Sequence, residues 1–474
     1  MQIDDEYFDS KEFQEILTSY EDSMKSGSTP FMDVDDLVDI ADYYSYKGNA
    51  NKSRETIELA LDLYPGAASP LIFKAGEELR NGNVDEAEKL IDRITEKDSP
   101  EYKYLEAEIL ISQSRIDEAE ELLHKYFMTA APDDYDDIVL DIANIYIDYG
   151  INDKAYQWMM RAKDHHNADY KELMARALFG MGKFSDSADI FNELIDENPY
   201  SKNYWNALAS AQFMDEKFDE AITSSEYAIA IDPKDPEGLI AKANGLYRLG
   251  KYEEALKYYE RYCNVVPDDE FGWLNLGTCL TYLNSYDKAI AALQKAESIA
   301  PANSQYLAQI YQELAFAYSA KKMPDKAISI LNKTEYLDCN HSDIAVLKGH
   351  ILLENGRWKE AENIYKQAIT ESSGSPETVL HIAVSLYDNK YIDTACDLLK
   401  KLFAAEGDNF NQGYAYLTLC YWDLKMLNEF LYYLKIAVER NPQEAKTVLS
   451  DIFPKDIEPK DYYNYITNKL KINQ

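Results

Sequence analysis

Four prolines follow one another at intervals of 34 residues, at Pro199, Pro233, Pro267 and Pro301. A constant period of this length is the signature of a repeat protein, in which each repeat is one small supersecondary unit. Such a unit cannot bury its apolar face alone, so consecutive repeats have to stack and share a continuous core. The spacing therefore predicts one stacked array, where the length of 474 residues alone would suggest several globular domains.

Two further columns of residues keep the same register. In the first column, a glycine is followed five residues later by a small residue, at Gly48 and Ser53, Gly82 and Ala87, Gly150 and Ala155, Gly182 and Ser187, Gly250 and Ala255, and Gly356 and Ala361. The second column also holds small residues, at Ala41, Ala75, Ala107, Ala143, Ala175, Ala209, Ala243, Gly277, Ala315, Gly349 and Ala383. Together the columns predict twelve repeats, which start near residues 34, 68, 100, 136, 168, 202, 236, 270, 308, 342, 376 and 411.

The pattern within one repeat indicates two amphipathic helices. In the seventh repeat Leu239 and Leu246 share one helical face, and a second set with helical spacing begins at Ala255. We expect Gly250 to form the turn between the helices, because glycine adopts positive φ most easily. Pro267 should end the second helix, since proline cannot continue the hydrogen-bond ladder. The small columns allow the two helices to approach each other closely.

Two segments carry a family resemblance. Trp273–Gly277 reads WLNLG, and Gly250–Tyr262 reads GKYEEALKYYERY. Both resemble the tetratricopeptide repeat (TPR). The resemblance implies an all-α fold, a right-handed superhelical solenoid of antiparallel helix pairs that is capped at both ends. It also implies that Trp273 lies in the core.

The predicted organisation has three parts. Residues 1–33 form an acidic N-terminal helical cap, residues 34–444 form twelve TPR-like helix pairs, and residues 445–474 form C-terminal capping helices. Open-ended stacks require such caps. Within the first cap we predict a helix from Ser10 to Lys25, with Asp9 and Glu12 as a pair resembling a capping box.

One spacing departs from the pattern. The eighth and ninth repeats start 38 residues apart, and Asn303–Tyr318 contains no helix breaker. Four extra residues are about one helical turn. We therefore predict that the first helix of the ninth repeat is one turn longer than the others.

The charge of the chain is strongly negative and unevenly distributed. The chain has 48 Lys and Arg against 85 Asp and Glu, a formal net charge of −37, and residues 1–150 contribute 37 acidic and 13 basic residues to these counts. Such a surface repels a phosphate backbone, so nucleic acid is not an expected ligand. A protein or peptide of basic character is the expected partner; the alternative is that the charge serves solubility alone.

The sequence also bears on location. The N-terminal residues lack the basic start and apolar stretch of a secretory signal. No window approaches the roughly 18 apolar residues of a membrane span. The five cysteines are widely spaced and do not suggest a disulfide framework. We therefore predict a cytoplasmic protein that does not insert into a membrane.

No motif for catalysis or for cofactor binding is present. The sequence has no zinc-binding His or Cys motif, no phosphate-binding loop and no nucleophile elbow. Cys279 and Cys420 occupy equivalent columns and are interpreted as packed core residues. We predict that the protein is not an enzyme and has no cofactor and no metal site.

His350 and His381 lie on consecutive first helices. We favour the interpretation that the two histidines are unrelated; the alternative is that they form a pH-sensitive pair or a weak metal site.

The resemblance also locates a candidate binding surface. In proteins of this family the first helices of the repeats line a groove that holds an extended peptide or a partner helix. Transferred by column, the groove positions are Asp39, Asp42, Glu108, Asp141, Asn144, Arg176, Asn206, Ser210, Phe213, Asn244, Tyr247, Asn275, Tyr282, Gln309, Gln312, His350, His381, Tyr416 and Trp422. One sub-family clamps the carboxylate of chaperone tails with a basic cluster. Only Arg176 and Lys242 fit that cluster here, so we do not predict tail binding.

The sequence thus predicts a non-enzymatic scaffold or adaptor for protein interactions. Its groove would take a basic or mixed extended peptide or helix. The alternative is a dedicated accessory or chaperone-like subunit of a larger complex, bound through convex or terminal surfaces.

Overall fold

A computed structural model describes residues 5–8, 10–454 and 456–472. These residues are predominantly α-helical and include no β-strand, so the predicted all-α fold of antiparallel helix pairs is confirmed. The chain divides into two compact units, an N-terminal unit that ends at Lys217 and a C-terminal unit that begins at Phe218. The division falls in the turn of the sixth predicted repeat.

The N-terminal unit contains thirteen helices in its described part. They are α1 (Asp5–Phe8), α2 (Lys11–Ser26), α3 (Val34–Tyr46), α4 (Ala50–Leu63), α5 (Ala68–Arg80), α6 (Val84–Ile91), α7 (Pro100–Ser112), α8 (Ile116–Phe127), α9 (Tyr135–Asp148), α10 (Asn152–Met159), α11 (Ala168–Gly180), α12 (Phe184–Glu197) and α13 (Lys202–Met214).

The C-terminal unit contains fifteen α-helices in its described part. They are α14 (Phe218–Ile231), α15 (Pro236–Arg248), α16 (Tyr252–Val265), α17 (Glu270–Tyr282), α18 (Tyr286–Ile299), α19 (Leu307–Ala320), α20 (Pro324–Asn332), α21 (His341–Glu354), α22 (Trp358–Glu371), α23 (Pro376–Asp388), α24 (Ile392–Glu406), α25 (Tyr414–Asp423), α26 (Leu427–Arg440), α27 (Pro442–Val448) and α28 (Tyr462–Ile472).

A left-handed residue closes the turn between the two helices of a pair. Gly250 has a φ of 73°, as its position predicted. The N–H of Gly250 donates to the Tyr247 carbonyl and that of Lys251 to the Leu246 carbonyl, which is the hydrogen-bond pattern of a Schellman cap. Ser114 adopts the same conformation without being glycine, with a φ of 62°. The turn is therefore set by the helix-pair geometry, and glycine is only the easiest residue to place there.

Small residues determine how closely the helices of a pair pack. Ala143, Ala243 and Ala315 are fully buried in the helix interfaces. The tightest approach is at Gly349 on α21, where a Cβ atom would lie 2.1 Å from Cε1 of Tyr365 on α22. No Cβ fits at this distance, so the position requires glycine unless the tyrosine ring moves.

In each unit, first helices of neighbouring pairs come closer together than second helices do. Several neighbouring first helices contact one another, for example α3 with α5, α9 with α11, and α21 with α23. Second helices of neighbouring pairs have no contact of comparable extent among the described residues. We call the solvent-accessible side of the first helices the inner face of each unit.

Two local predictions are corrected by the structure. The first helix of the ninth repeat is not longer, because α19 begins only at Leu307 and the four extra residues lie in the preceding loop, at 300–306. The N-terminal helix begins one residue later than predicted, at Lys11, and its N-cap is Ser10, whose Oγ accepts from the Phe13 N–H. Asp9, predicted as its capping residue, lies outside the described residues.

None of the helices in the described part of the chain combines the length and apolar content needed to cross a bilayer.

A pair of glycine substitutions tests the role of helix approach. We expect Gly349→Ala to lower the free energy of unfolding of the C-terminal unit by about 1–3 kcal/mol, because overpacking outweighs the better helix propensity of alanine. Gly76→Ala on α5 is the matched control. Its Cβ would meet only the flexible Arg80 side chain, at 3.5 Å, so we expect a gain of about 0.5–1 kcal/mol.

Urea denaturation measures both effects, together with hydrogen exchange of α21 and α22 for Gly349→Ala and of α5 and α6 for Gly76→Ala. Equal changes in the two variants would contradict the account, since only Gly349 faces an aromatic ring.

Candidate functional site

The inner face of the N-terminal unit carries a polar network between neighbouring first helices. Arg176 on α11 donates to Oδ1 of Asn144 at 3.1 Å and to Oδ1 of Asp148 at 3.0 Å, both on α9. Asn144 in turn donates to Oδ2 of Asp148 at 3.2 Å. The structure thus joins two of the predicted groove residues, Asn144 and Arg176, and adds Asp148. The cation is already neutralised by Asp148, which leaves the face predominantly acidic.

Several carboxylates on this face resist ionisation. Loss of hydration within the concave surface raises the pKa of Asp42, Glu108, Asp141 and Glu172 above their ordinary values. Neighbouring acids add to the effect, for example Asp148 beside Glu108. The ionised form of such a carboxylate is stabilised when a cation approaches.

Asp39 belongs to the same acidic face but already has a partner. The hydroxyl of Tyr7 on α1 donates to Oδ2 of Asp39 at 2.6 Å. Burial, followed by this hydrogen bond, raises the pKa of Tyr7 strongly. Asp39 therefore holds the N-terminal helix against α3 as well as facing the groove.

Aromatic side chains form the corresponding surface at the start of the C-terminal unit. Tyr282 stacks on Tyr252, with ring centroids 4.9 Å apart, and meets the edge of Tyr247 at 5.6 Å. Tyr282 remains 56% exposed. Two predicted groove residues, Tyr247 and Tyr282, thus come together across α15 and α17.

The two asparagines predicted as groove residues in this unit form hydrogen bonds within the unit itself. Asn244 accepts from the hydroxyl of the buried Tyr259 at 2.8 Å. Asn275 donates to the Phe271 carbonyl of its own helix at 2.8 Å. Both side chains are half-buried, so only part of their hydrogen-bonding capacity faces solvent.

A large cavity opens on the inner face between α19, α21, α23 and α25. Its volume is about 610 Å³. The lining combines apolar side chains with a charged rim, and it comprises Phe316, Ser319, Ala320, Lys322, Asp343, Val346, Leu347, His350, Ile351, Glu354, Leu380, His381, Val384, Ser385, Asp388 and Tyr416. Three predicted groove residues, His350, His381 and Tyr416, are brought together here.

The two histidines of this cavity have separate partners. His350 lies 3.0 Å from Oγ of Ser385 through Nδ1, and its Nε2 lies 3.8 Å from Glu354. Nδ1 of His381 lies 2.9 Å from Oδ1 of Asp343. Within the described part of the chain, no three His, Cys, Asp or Glu side chains form a metal-binding group.

A smaller cavity of about 300 Å³ adjoins the first. It is lined by Thr281, Tyr282, Asn284, Tyr286, Glu313 and Phe316. Phe316 lines both cavities and is 52% exposed. It is an exposed apolar ring that the two cavities share.

The remaining predicted groove residues differ in exposure. Ser210 and Gln309 are exposed, whereas Phe213, Gln312 and Trp422 are half-buried. Trp422 packs against Phe430, with ring centroids 5.0 Å apart.

Two expectations are corrected. Asn206 does not form an open groove wall, because it is only 4% exposed; it stands four residues after the start of α13, where α17 has the core residue Leu274. Trp273 is half-buried, not fully buried in the core, and its Nε1–H donates to the Pro267 carbonyl at 2.9 Å.

Sequence reasoning missed Phe316, Glu313 and Asp343. A signal for the first two was available. Phe316 directly follows the small residue Ala315, as Asp42 follows Ala41 in the third helix, and Glu313 precedes Ala315 by two residues. Both columns supplied predicted groove residues in other repeats. Asp343 lies outside those columns, in the first turn of α21.

Comparisons with known proteins agree with this architecture. Two family models, each described as "Tetratricopeptide repeat", match residues 74–135 and 346–377. A third model, described as "Anaphase-promoting complex, cyclosome, subunit 3", matches residues 200–296. No curated protein sequence has a significant match to this chain.

Three solved structures illustrate the structural likeness. A chain of the structure titled APC/C hetero-tetramer Cut9-Hcn1 is 16% identical to this chain. The match covers 88% of this chain and 75% of the other chain, with a TM-score of 0.38. A tetratricopeptide repeat protein from Parabacteroides merdae ATCC 43184 has 16% identity, coverage of 52% and 97%, and a TM-score of 0.40. YrrB, titled as a TPR protein with an unusual peptide-binding site, has 18% identity, coverage of 43% and 99%, and a TM-score of 0.36. Because these TM-scores are below 0.5, the likenesses carry no argument about function.

The chain is a tetratricopeptide-repeat protein. Helix-pair repeats of this kind present extended concave surfaces.

The cysteines provide a chemical test of the packing. Burial raises the pKa of Cys263, Cys279 and Cys420 to about 12, and the thiolate is the reactive form. Cys339 is only half-buried. We expect iodoacetamide to label Cys339 first in the folded protein at about pH 8. Cys263, Cys279 and Cys420 should be labelled only after unfolding. Peptide mass spectrometry measures the order; labelling of Cys279 or Cys420 as fast as Cys339 would contradict the packing.

The acidic inner face provides a pH test. The pKa of Glu108 is higher in the folded than in the unfolded chain, so the folded state binds its proton more tightly. Its contribution to the free energy of unfolding therefore increases as the pH falls from neutral through the raised pKa. We expect Glu108→Gln to raise the unfolding midpoint at neutral pH and to flatten its rise on acidification.

Thermal denaturation over a pH series measures this difference. Glu96→Gln, at an exposed loop position, is the control and should change neither quantity. A Glu108→Gln variant that is less stable at neutral pH would contradict the account.

Proposed function

We propose that this chain is a non-enzymatic adaptor that binds a basic or mixed segment of a partner protein on the inner faces of its repeats. The observation that carries the proposal is a set of partly buried carboxylates with raised pKa on four first helices of the N-terminal unit, at Asp42 on α3, Glu108 on α7, Asp141 on α9 and Glu172 on α11. Each of these groups is incompletely hydrated, and each also lies near another acidic side chain, for example Asp39 beside Asp42 and Asp148 beside Glu108. A basic segment would relieve both conditions at once.

Long-range charge supports the same proposal. The first 150 residues carry a net charge of −24, from 37 acidic and 13 basic residues. Such a field steers a basic partner towards the protein and increases its association rate, and the effect weakens as salt screens it. Binding through neutral surfaces has no such dependence.

The test compares two variants that lose the same charge. The groove variant carries Asp39→Asn, Asp42→Asn and Asp141→Asn on α3 and α9. The control variant carries Asp62→Asn, Asp85→Asn and Asp117→Asn, at exposed positions of the second helices α4, α6 and α8. Each immobilised chain captures partners from a lysate of the cells that produce it, at about 0.1 M and about 1 M salt.

We expect the groove variant to lose most of the capture seen at low salt, and the control variant to retain it. Capture that is indifferent to salt and unchanged in the groove variant would contradict groove binding. That result would favour an accessory subunit held through other surfaces.

A further inference from the structure

The side chain of Phe316 is exposed and does not belong to the buried core of the C-terminal unit. Its ring lies between the two cavities of the C-terminal unit and lines both. Half of it reaches solvent, although burying an aromatic side chain is strongly favourable. The side chain can therefore contact a group that enters either cavity.

The smaller cavity has the composition of a cation site. Tyr282, Tyr286 and Phe316 supply aromatic walls, and Glu313 supplies a carboxylate. Stacking on Tyr252 holds the Tyr282 ring in place before any ligand arrives. A cation over aromatic faces is attracted by the ring quadrupoles, and more strongly when it is partly desolvated.

Glu313 lacks a basic partner in this cavity. No hydrogen bond or ion pair joins it to another residue in the described ranges, and burial raises its pKa. A desolvated carboxylate without a counter-ion is costly. A Lys or Arg side chain from outside would supply the missing charge.

The larger cavity has a different character. Its floor includes Val346, Leu347, Ile351 and Val384, which match an apolar side chain. Its volume of about 610 Å³ lies within the usual range of ligand pockets, about 300–1,000 Å³. This room exceeds what a single cation would fill.

The rim of the larger cavity is negatively charged, like the smaller cavity with its Glu313. Three carboxylates lie there, Asp343, Glu354 and Asp388, against one lysine, Lys322. A segment that enters the cavity therefore meets an apolar floor and a negative edge.

We propose that the two cavities form one binding site for a segment of a partner protein that carries a Lys or Arg side chain next to a large apolar side chain. The cationic group enters between Glu313 and the aromatic rings, and the apolar group enters the larger cavity on the other side of Phe316. This inference rests on the proposed adaptor function and deepens it, since it assigns the anchor residues of the ligand. The charge of the chain favours a basic partner over a second copy of the chain, because a copy with a net charge of −37 would be repelled at long range.

The experiment selects ligands without assuming their sequence. A displayed library of short random peptides is enriched on the immobilised full-length chain. The enriched peptides are then synthesised with a fluorescent label, and their dissociation constants are measured by anisotropy. The site variants are Glu313→Gln and Phe316→Ala. The matched controls are Glu260→Gln, at an exposed position of α16, and Tyr336→Ala, at a position that is 90% exposed.

We expect the enriched peptides to share a basic and a large apolar residue at a fixed spacing. Each site variant should weaken binding by about tenfold or more, in line with a desolvated cation–π or ion-pair contact, and the controls should not. Replacing the basic residue of the peptide by Gln should weaken binding to the wild type clearly more than binding to Glu313→Gln, where only the aromatic rings still attract the cation, and this coupling identifies the two groups as direct partners. Thermal unfolding is measured for all four variants to check that each of them is folded.

Three results would overturn the inference. They are enrichment of peptides without the basic and apolar pair, additive effects of the peptide change and Glu313→Gln, and no enrichment of any peptide. A self-association that Phe316→Ala abolishes would also overturn it, by assigning the site to a second copy. If native partners still depend on Asp39, Asp42 and Asp141 in any of these cases, the adaptor function stands and only this site is rejected.

Discussion

The close approach of the two helices in each pair is the contact on which the rest of the structure depends. Small buried residues at one column, such as Ala143, Ala243 and Gly349, allow the backbones to pack tightly. Interiors pack at the density of organic crystals, so a larger residue in this column has to displace its neighbour. The position after the small residue varies in residue type from repeat to repeat, and in several repeats it lies on the inner face, as at Asp42, Arg176 and Phe316. The packing constraint thus separates residues that maintain the fold from residues that can acquire a binding role.

The two units use this freedom differently. On the inner face of the N-terminal unit the variable column holds charged and polar residues, including Asp42, Glu108 and Arg176. In the C-terminal unit the same column holds Phe316 and His350, which line the cavities. The first surface acts on a partner at a distance through charge, whereas the second can hold side chains by contact. A basic segment with an apolar anchor satisfies both, and this combination is the basis of the proposed adaptor function.

Sequence columns predicted the architecture because they record packing that every repeat has to satisfy. The turn at Gly250 follows from such a column and has the positive φ expected of it. Columns predict individual side chains less well, since one position can be core in one repeat and polar in another. Asn206 illustrates this limit, because it occupies the position that holds the core residue Leu274 in another helix. The four extra residues before α19 show another limit: a helix-compatible sequence formed a loop, since the length of the first helix is set by its neighbours in the stack.

The site itself was only partly predictable for a similar reason. Tyr282, His350, His381 and Tyr416 were identified individually, but the cavities that bring them together depend on the distances between first helices, which no column encodes. Phe316 stood in a predicted column, yet an apolar residue on an amphipathic helix is usually core. Only its exposure in the folded chain distinguishes it from the packed aromatics.

The central claim is that partners bind the inner face of the repeats. Photo-crosslinking with the native partner tests it most directly, using a benzophenone amino acid placed at Phe316, at Tyr282 or at the exposed Tyr336 outside the cavities. The account predicts crosslinked partner from Phe316 and Tyr282 and none from Tyr336. Crosslinks from Tyr336 alone would show that partners bind another surface and would contradict the account.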